Sequence, residues 1–345
     1  MVKKRKMRPV PTRRPTLAKQ PYSIKEGVTQ SLLSSFVDCR MRCRLYLDGW
    51  QPAGRTKESL HYGSLFHFML ERLGKGVMAG ETSRAAYQCG GVWWDANVGM
   101  FRALQPADAD ASLLQLTEQC VAQAMGVWDG YLTRYPKDLD ADRWLELEGV
   151  FDVDWSGYRL RGKRDGMLRD AKGNLWLFET KTKSQISDDT VASTLAFDFQ
   201  SLFYLTANQA ELKARGEKAK LVGVRYNVIR KPQHKLKVGE SLADYSDRIA
   251  DDVAKRPDHW FFRYEARYGK KTLEEFQGQL LAKLQTFEQW SSNRDSVSGA
   301  DDLLRSTYRN EAACQKRWNC RYISWCAGAR QEYEQTGRLF VELEE

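Results

Sequence analysis

Two carboxylates and a lysine could meet on one face of a predicted β-hairpin. A turn is expected at residues 170–174, where Gly173 can adopt the positive φ that a short loop requires. This register places Asp165 opposite Glu179, with Cβ atoms only ~4.5–5.5 Å apart. Because side chains alternate along a strand, Lys181 projects from the same face as Glu179. Paired carboxylates suit Mg²⁺ or Mn²⁺ and the lysine could orient an attacking water, so these residues suit phosphodiester hydrolysis.

The same three residues also have a purely structural interpretation. Asp165 and Glu179 could be solvent-facing charges of the hairpin, with Lys181 as their ion-pair partner. Alternating charges are what any exposed strand face shows. Spacing alone favours this alternative, so the chemical interpretation depends on other motifs.

The hydrophobic pattern around the hairpin predicts an α/β core. From Trp144 apolar and acidic residues alternate as in a half-buried strand, and two more strands flank the 170–174 turn. A helix is predicted from Val191 to about Lys213, followed by a strand over residues 221–231. Strands followed by a helix and another strand predict a mixed sheet covered by helices.

Sequence of mostly helical pattern lies on either side of this core. One helix is predicted within residues 29–50, and others around 272–290. A further helix has one apolar face, formed by Tyr62, Phe66, Met69, Leu70 and Leu73. We therefore expect one domain over residues 21–345: a helical part (21–140), the catalytic α/β core (141–235) and a helical C-terminal part (236–345).

Charge and composition narrow the classes of function. The net charge is +9, but eight positive charges and no acid lie in the first 20 residues, so the rest carries nine minus eight, or +1. This arm lacks the apolar segment of a secretory signal and is predicted to be disordered; it could hold phosphates or simply aid solubility. No apolar run approaches the ~20 residues of a membrane span. The chain contains no G-x-x-x-x-G-K-[ST] nucleotide-binding loop, so a helicase activity would have to come from a partner.

Two pairs of residues at helical spacing could contribute to a site. Gly63 and His67 share one helical stripe, and a neutral imidazole is a common metal ligand, although an isolated histidine more often packs or caps. Gln200 and Tyr204 lie four residues apart on the predicted helix after the hairpin. They could contact a phosphate or the catalytic strand.

Residues 148–184 resemble the catalytic core of RecB-like PD-(D/E)XK nucleases. In that family an upstream glutamate and a Gly-x-x-Asp strand precede an Asp/Glu-x-Lys strand. Glu148, the run from Gly162 to Asp165 and the run from Glu179 to Lys181 match these features in order. The Gly63/His67 and Gln200/Tyr204 pairs resemble the family's metal-binding histidine motif and its motif on the following helix.

The resemblance implies a role for each matching residue. Those implied to hold one or two divalent ions are His67, Asp165, Glu179 and the Thr180 backbone carbonyl. Lys181 would activate water or stabilise developing charge, and Gln200 and Tyr204 would position substrate. Glu148 would support the ligands from behind. The implied fold is a restriction-endonuclease-like mixed sheet flanked by helices.

The seven cysteines are an odd number in a long chain, which favours a reducing compartment over a disulfide framework. One branch of the superfamily, which includes AddB and the CRISPR-associated adaptation nucleases, binds a 4Fe-4S cluster through one cysteine before the nuclease core and three after it. Cys39, Cys314, Cys320 and Cys326 occupy such positions.

Several features of the cysteines depart from that branch. The spacing is C-x5-C-x5-C, and only its last interval matches the commoner C-x2-C-x5-C. Cys43 competes with Cys39 for the first position. Zinc or reduced, unligated thiols are the alternatives to iron-sulfur. Cys89 and Cys120 are interpreted as structural.

Taken together, these motifs predict a Mg²⁺- or Mn²⁺-dependent DNA nuclease, with exonuclease action preferred from the resemblance. The segments around residues 224–232 and 309–326 resemble phage-encoded members, which implies a bacterial host cytoplasm and a role in DNA recombination, repair or replication. One alternative is a nucleic-acid-binding protein with a vestigial site, whose contacts come from the arm and from Trp93, Trp94, Trp318 and Trp325. Another is a nuclease subunit active only within a complex, such as one with a helicase or recombination partner.

Overall fold

The fold is taken from a computed structural model of the whole chain. It describes residues 16–18, 22–52, 62–103, 111–140, 143–184, 194–294, 307–314, 320–335 and 338–340. No helix in these ranges is both long enough and apolar enough to span a membrane.

Helices and strands are interspersed along the chain. The strands are β1 (Thr16–Ala18), β2 (Val28–Thr29), β3 (Trp50–Pro52), β4 (Trp144–Trp155), β5 (Tyr158–Arg169), β6 (Leu175–Lys183), β7 (Leu221–Arg230), β8 (Phe261–Ala266), β9 (Tyr333–Gln335) and β10 (Arg338–Phe340). The α-helices are α1 (Gln30–Asp38), α2 (Arg40–Leu47), α3 (Tyr62–Met78), α4 (Val92–Ala103), α5 (Ala111–Arg134), α6 (Phe199–Ala214), α7 (Leu242–Lys255), α8 (Pro257–Trp260), α9 (Lys270–Arg294), α10 (Glu311–Cys314) and α11 (Ile323–Cys326).

The contacts divide the chain into two compact units, where one domain over residues 21–345 was predicted. The larger unit comprises residues 27–34 and 57–289, and the smaller comprises residues 1–26, 35–56 and 290–345. The predicted core segment therefore falls within the larger unit, and the three C-terminal cysteines within the smaller one.

The larger unit is built on a six-stranded mixed sheet. Its path is β2-β5-β6-β7-β8, and β4 pairs with β5 as well. β4, β5 and β6 form an antiparallel meander, whereas β6 and β7 are parallel and connected through α6. The predicted fold class, a mixed sheet flanked by helices, is confirmed.

Two tight turns set the register of the meander. Ser156 and Gly157 both have positive φ, as a two-residue hairpin loop requires, and Trp155 pairs with Tyr158 across them. In the second turn the Asp170 carboxylate accepts hydrogen bonds from the backbone N–H groups of Lys172 and Asn174, each at 2.9 Å, and Gly173 has a φ of 81°. The predicted turn and pairing are confirmed, since Arg169 lies opposite Leu175.

The sheet buries both of its faces. Trp176 and Phe178 pack with the apolar face of α3 and with α5, and the predicted α3 residues all belong to that core. Leu175 and Leu177 pack on the other face, in a core that includes Leu205 of α6. Because strand residues alternate between faces, α6 covers the face from which Glu179 and Lys181 also project.

In the smaller unit, β1 pairs with β10 and β3 pairs with β9, both antiparallel. Thr16–Ala18 belongs to the arm that was predicted to be disordered, and it forms a strand; residues 1–15, 19 and 20 lie outside the described residues. A small core in this unit combines Met41, Leu45 and Trp325.

Two predicted helix boundaries were wrong, and one strand was not predicted. The helix predicted within residues 29–50 is interrupted at Cys39, whose extended backbone caps α2. The helix predicted from Val191 begins at Phe199, because the Asp198 side chain accepts the backbone N–H of Ser201 and caps it. Residues 191–193 lie outside the described residues. β8 was not predicted, although it completes the sheet beside β7.

Candidate active site

A close contact between α3 and the sheet brings His67 to the site. A side chain at Gly63 would place its Cβ 2.8 Å from the Thr182 Oγ1 atom, so glycine allows the close approach of α3 to β6 without a shift of Thr182. His67 lies one helical turn further along α3. Its Nδ1 atom lies 3.5 Å from the Asp165 Oδ2 atom.

Three acidic residues lie side by side on three adjacent strands, one on each of β4, β5 and β6. Leu147 pairs with Gly166 and Gly149 with Arg164, so Glu148 of β4 lies across from Asp165 of β5. The β5–β6 ladder ends at Gly166 and Phe178. One step beyond that end, the Asp165 carboxylate accepts the backbone N–H of Thr180 at 2.7 Å, which fixes it beside Glu179.

His67, Glu148 and Asp165 could share one metal ion. Among the described residues they form a group in which one ligand atom from each lies within 4.8 Å of the others. Two carboxylates and an imidazole suit a divalent cation such as Mg²⁺ or Mn²⁺. The donor set therefore fits the metal that the sequence predicted, and it places Glu148 among the candidate ligands.

Burial shifts the pKa values of these groups in the directions that favour their uncharged forms. Burial raises the pKa of Asp165 to about 6, partly countered by the Thr180 N–H, and raises that of Glu179 to about 7 with help from Asp165. It lowers the pKa of His67, which Glu148 and Glu179 partly oppose, and so favours the neutral, ligand-competent imidazole. A cation would offset the cost of these buried negative charges.

Lys181 and Gln200 hold the Glu179 carboxylate. Both the Lys181 Nζ atom and the Gln200 Nε2 atom donate to Glu179 Oε1, the latter at 2.8 Å. Lys181 also donates to Gln200 Oε1 at 2.9 Å. Burial alone would lower the pKa of Lys181, but Glu179 reverses this and raises it, so the lysine carries a positive charge. Glu179 is accordingly not in the group of three that could share an ion.

Tyr204 lies one turn beyond Gln200 on α6 and faces the same carboxylates. Burial raises the pKa of its hydroxyl, and Glu179 and Asp165 add to the increase. Its ring packs edge-on against Phe151 of β4, with centroids 5.2 Å apart. The structure thus brings Gln200 and Tyr204 to the site, as predicted from their spacing.

The backbone at Glu148 is strained. Its φ of 52° lies in the left-handed region, which a non-glycine residue occupies at a cost of about 1–2 kcal/mol. We expect Glu148→Gly to be about 1 kcal/mol more stable than Glu148→Ala, because both lack the carboxylate and only glycine relieves the strain. Urea denaturation of the two variants measures the difference, and equal stabilities would mean that the strain is absent.

The cysteines form a second cluster, in the smaller unit. Cys39, Cys320 and Cys326 contribute to its core. Burial raises the pKa of Cys326 to about 11, and the nearby thiols of Cys320, Cys39 and Cys314 add to the increase. Cys43, the competing candidate, is fully buried one helical turn after Cys39.

The four sulfur atoms do not approach one another as closely as the ligand atoms of the first site. Within the described part of the chain, no group of cysteines meets the 4.8 Å spacing that His67, Glu148 and Asp165 meet. The sequence therefore identified four cysteines that lie in one neighbourhood, without a compact single-ion cage.

Glu148 is the residue whose position sequence reasoning missed. The position of Glu148 could have been predicted from the Ser156-Gly157 turn. A two-residue loop that pairs Trp155 with Tyr158 places Glu148 opposite Asp165. The Thr180 backbone lies near the His67 ring, and the metal-binding role implied for the Thr180 carbonyl stays a prediction.

Comparisons with known proteins agree with this geometry. The family model of the PD-(D/E)XK nuclease superfamily matches residues 28–327, which include every residue of the site. No curated protein matches the chain. Since the match covers most of the sequence, the chain belongs to the PD-(D/E)XK nuclease superfamily, whose members hydrolyse phosphodiester bonds.

Proposed function

We propose that this protein is a Mg²⁺- or Mn²⁺-dependent DNA nuclease of the RecB-like branch, acting as an exonuclease. The observation that carries the proposal is the group formed by His67, Glu148 and Asp165 beside the Lys181, Glu179 and Gln200 contacts. A metal-ligand set next to a positively charged side chain is well suited to the hydrolysis of a phosphodiester.

His67, Glu148 and Asp165 would hold the divalent ion, with Glu179 and the Thr180 carbonyl available for a second ion or for substrate-bound states. An ion bound there would act as a Lewis acid toward a phosphoryl oxygen. The raised pKa values of Asp165 and Glu179 mean that binding also releases protons, so affinity for the ion should increase with pH.

Lys181 would act mainly as a positive charge. Because Glu179 keeps it protonated, it can orient a water molecule by donating a hydrogen bond and can stabilise negative charge that develops on the phosphate. Gln200 sets the direction of the ammonium group through the 2.9 Å contact. The Tyr204 hydroxyl, which stays protonated, can donate to a phosphate oxygen.

Cleavage assays on end-labelled linear DNA, circular DNA and RNA would test the proposal. With Mn²⁺ or Mg²⁺ we expect progressive loss of linear DNA and no cleavage of circles or RNA, and none in EDTA. The labelled end that is released first gives the polarity. Binding without cleavage would support a vestigial site, and cleavage restored only by an added helicase or recombination protein would support a subunit of a complex.

We also propose that Cys39, Cys314, Cys320 and Cys326 ligate a 4Fe-4S cluster. Four thiolates is the number of ligands that such a cluster takes. The proximity of these four cysteines within the smaller unit supports the proposal. Such a cluster would join the segments around residues 39 and 310–326 within the smaller unit.

Metal analysis of anaerobically purified protein tests the cysteine proposal. We expect about four irons and four acid-labile sulfides per chain. Cys326→Ser should lose most of both, whereas Cys120→Ser, which removes a buried thiol of the larger unit, should retain them. One zinc per chain, or full iron content in Cys326→Ser, would contradict the assignment.

The biological setting is proposed from resemblance alone. Residues 224–232 and 309–326 resemble phage-encoded members of the superfamily, which would place the protein in the cytoplasm of a bacterial host. There it would process DNA ends during recombination, repair or replication, and a helicase partner would supply unwinding.

A further inference from the structure

A buried arginine lies next to the candidate metal ligands. Arg164 directly precedes Asp165 on β5, and its side chain is 1% exposed. An arginine is rarely buried unless its charge is paired and its donors are satisfied. The elements that supply its partners are therefore held to β5 at this point.

Arg164 connects β5 to both a strand and a helix. Its Nε atom donates to Glu146 Oε2 of β4 at 3.0 Å. Its Nη1 atom donates to Glu211 Oε2 at 2.7 Å and to Asn208 Oδ1, both on α6. The planar guanidinium fixes direction as well as distance, which apolar packing of a helix on a sheet does not.

A hydrogen bond continues from this arginine toward the site. The Asn208 Nδ2 atom donates to the backbone carbonyl of Tyr204 at 2.8 Å. One turn earlier, Gln200 contacts Lys181 and Glu179. The contacts with Arg164 thus fix how far α6 lies along the sheet. The contacts of Gln200, which lies on the same helix, depend on that placement.

We propose that Arg164 is a positioning residue that acts through Asn208 and Glu211. It holds α6 so that Gln200 and Tyr204 reach the catalytic strand. The kinetic part of this inference rests on the proposed nuclease function, whereas its structural part does not.

A double-mutant cycle with Gln200 tests the proposal. Asn208→Ala removes the link to Tyr204 and leaves both ion pairs of Arg164 in place, so this variant should fold. Arg164→Lys keeps the positive charge and removes the planar guanidinium group that donates to several partners. Each should lower kcat about tenfold in the wild-type background and less than about twofold in a Gln200→Ala background, with KM little changed. Leu205→Ala, which weakens α6 packing without touching the polar link, should have the same effect in both backgrounds.

Crystal structures of the wild type and Asn208→Ala provide a readout that needs no activity. The Gln200 to Lys181 contact should be present in the wild type and lost in the variant. If that contact persists in the variant, or if the kinetic effects multiply, Arg164 has only a structural role. A wild type that fails to cleave DNA would overturn the proposed function. The crystal comparison would still decide whether Arg164 positions α6.

Discussion

Lys181→Met is expected to lower kcat by about 10²–10³-fold in the proposed Mn²⁺-dependent cleavage of DNA, because it removes the positive charge that would stabilise the substrate phosphate. The methionine keeps the aliphatic length of the lysine side chain. The raised pKa of Glu179 lets that carboxyl become neutral when its partner is lost, so the fold should persist. Single-turnover cleavage with the circular dichroism spectrum as a folding check measures the effect.

Lys172→Met is the matched control for this prediction. Lys172 lies in the turn between β5 and β6, is exposed, and carries the same charge as Lys181 on the same hairpin. Its loss should leave kcat unchanged. If the two variants cleave DNA equally well, the nuclease activity comes from another site or from a contaminant.

Asp165→Asn is expected to abolish cleavage and, at pH 8, to stabilise the metal-free protein by roughly 1–3 kcal/mol. Asparagine can still accept the Thr180 N–H, but it carries no charge that burial would penalise. The gain should appear as a Tm several degrees higher in calorimetry. Mn²⁺ should raise the Tm of the wild type and have little effect on the variant.

The pH dependence of this gain has a definite sign. Folding raises the pKa of Asp165 from 3.8 to about 6, so the folded state binds the proton more tightly than the unfolded state. The contribution of Asp165 therefore lowers the stability of the wild type as pH rises through this window, and the variant lacks this contribution. The difference in Tm should be full above about pH 6 and disappear near pH 4. Asp154→Asn, on the exposed part of β4, should not raise the Tm. An equal rise in this control would mean that the burial of Asp165 does not explain the effect.

The catalytic hairpin was predictable because its turn is encoded locally. Gly173 supplies the positive φ, and the Asp170 side chain closes the loop by accepting nearby N–H groups. Once that turn is placed, strand alternation determines which residues face α6. The hairpin register of Asp165 and Glu179 could therefore be predicted without any knowledge of the fold, whereas their proposed role depended on the other motifs.

The boundaries of α6 and α2 were not predictable from hydrophobic periodicity. The apolar pattern continues upstream of Phe199, and only the hydrogen bond from Ser201 to Asp198 shows where the helix begins. Cys39 also interrupts a continuous helical pattern. Its backbone is extended, and its side chain makes no capping hydrogen bond that would predict the interruption. A metal cluster bound by the Cys39 thiol would explain why the helix is interrupted at this residue.

The burial of Arg164 is decided by residues far away in the sequence. It lies in a charged Gly-Lys-Arg-Asp run that any exposed strand could contain. Its partners Asn208 and Glu211 come from a helix more than 40 residues later, and they reach it only when α6 docks on the sheet. No local pattern carries this information, so the positioning network could be found only from the fold.

The most direct test of the metal site is an anomalous difference map at the manganese absorption edge, from crystals grown with Mn²⁺. The site assignment predicts a peak bound by the Nδ1 or Nε2 atom of His67 and by the carboxylates of Glu148 and Asp165. An active enzyme whose manganese peak lies elsewhere, with these three side chains unliganded, would contradict it.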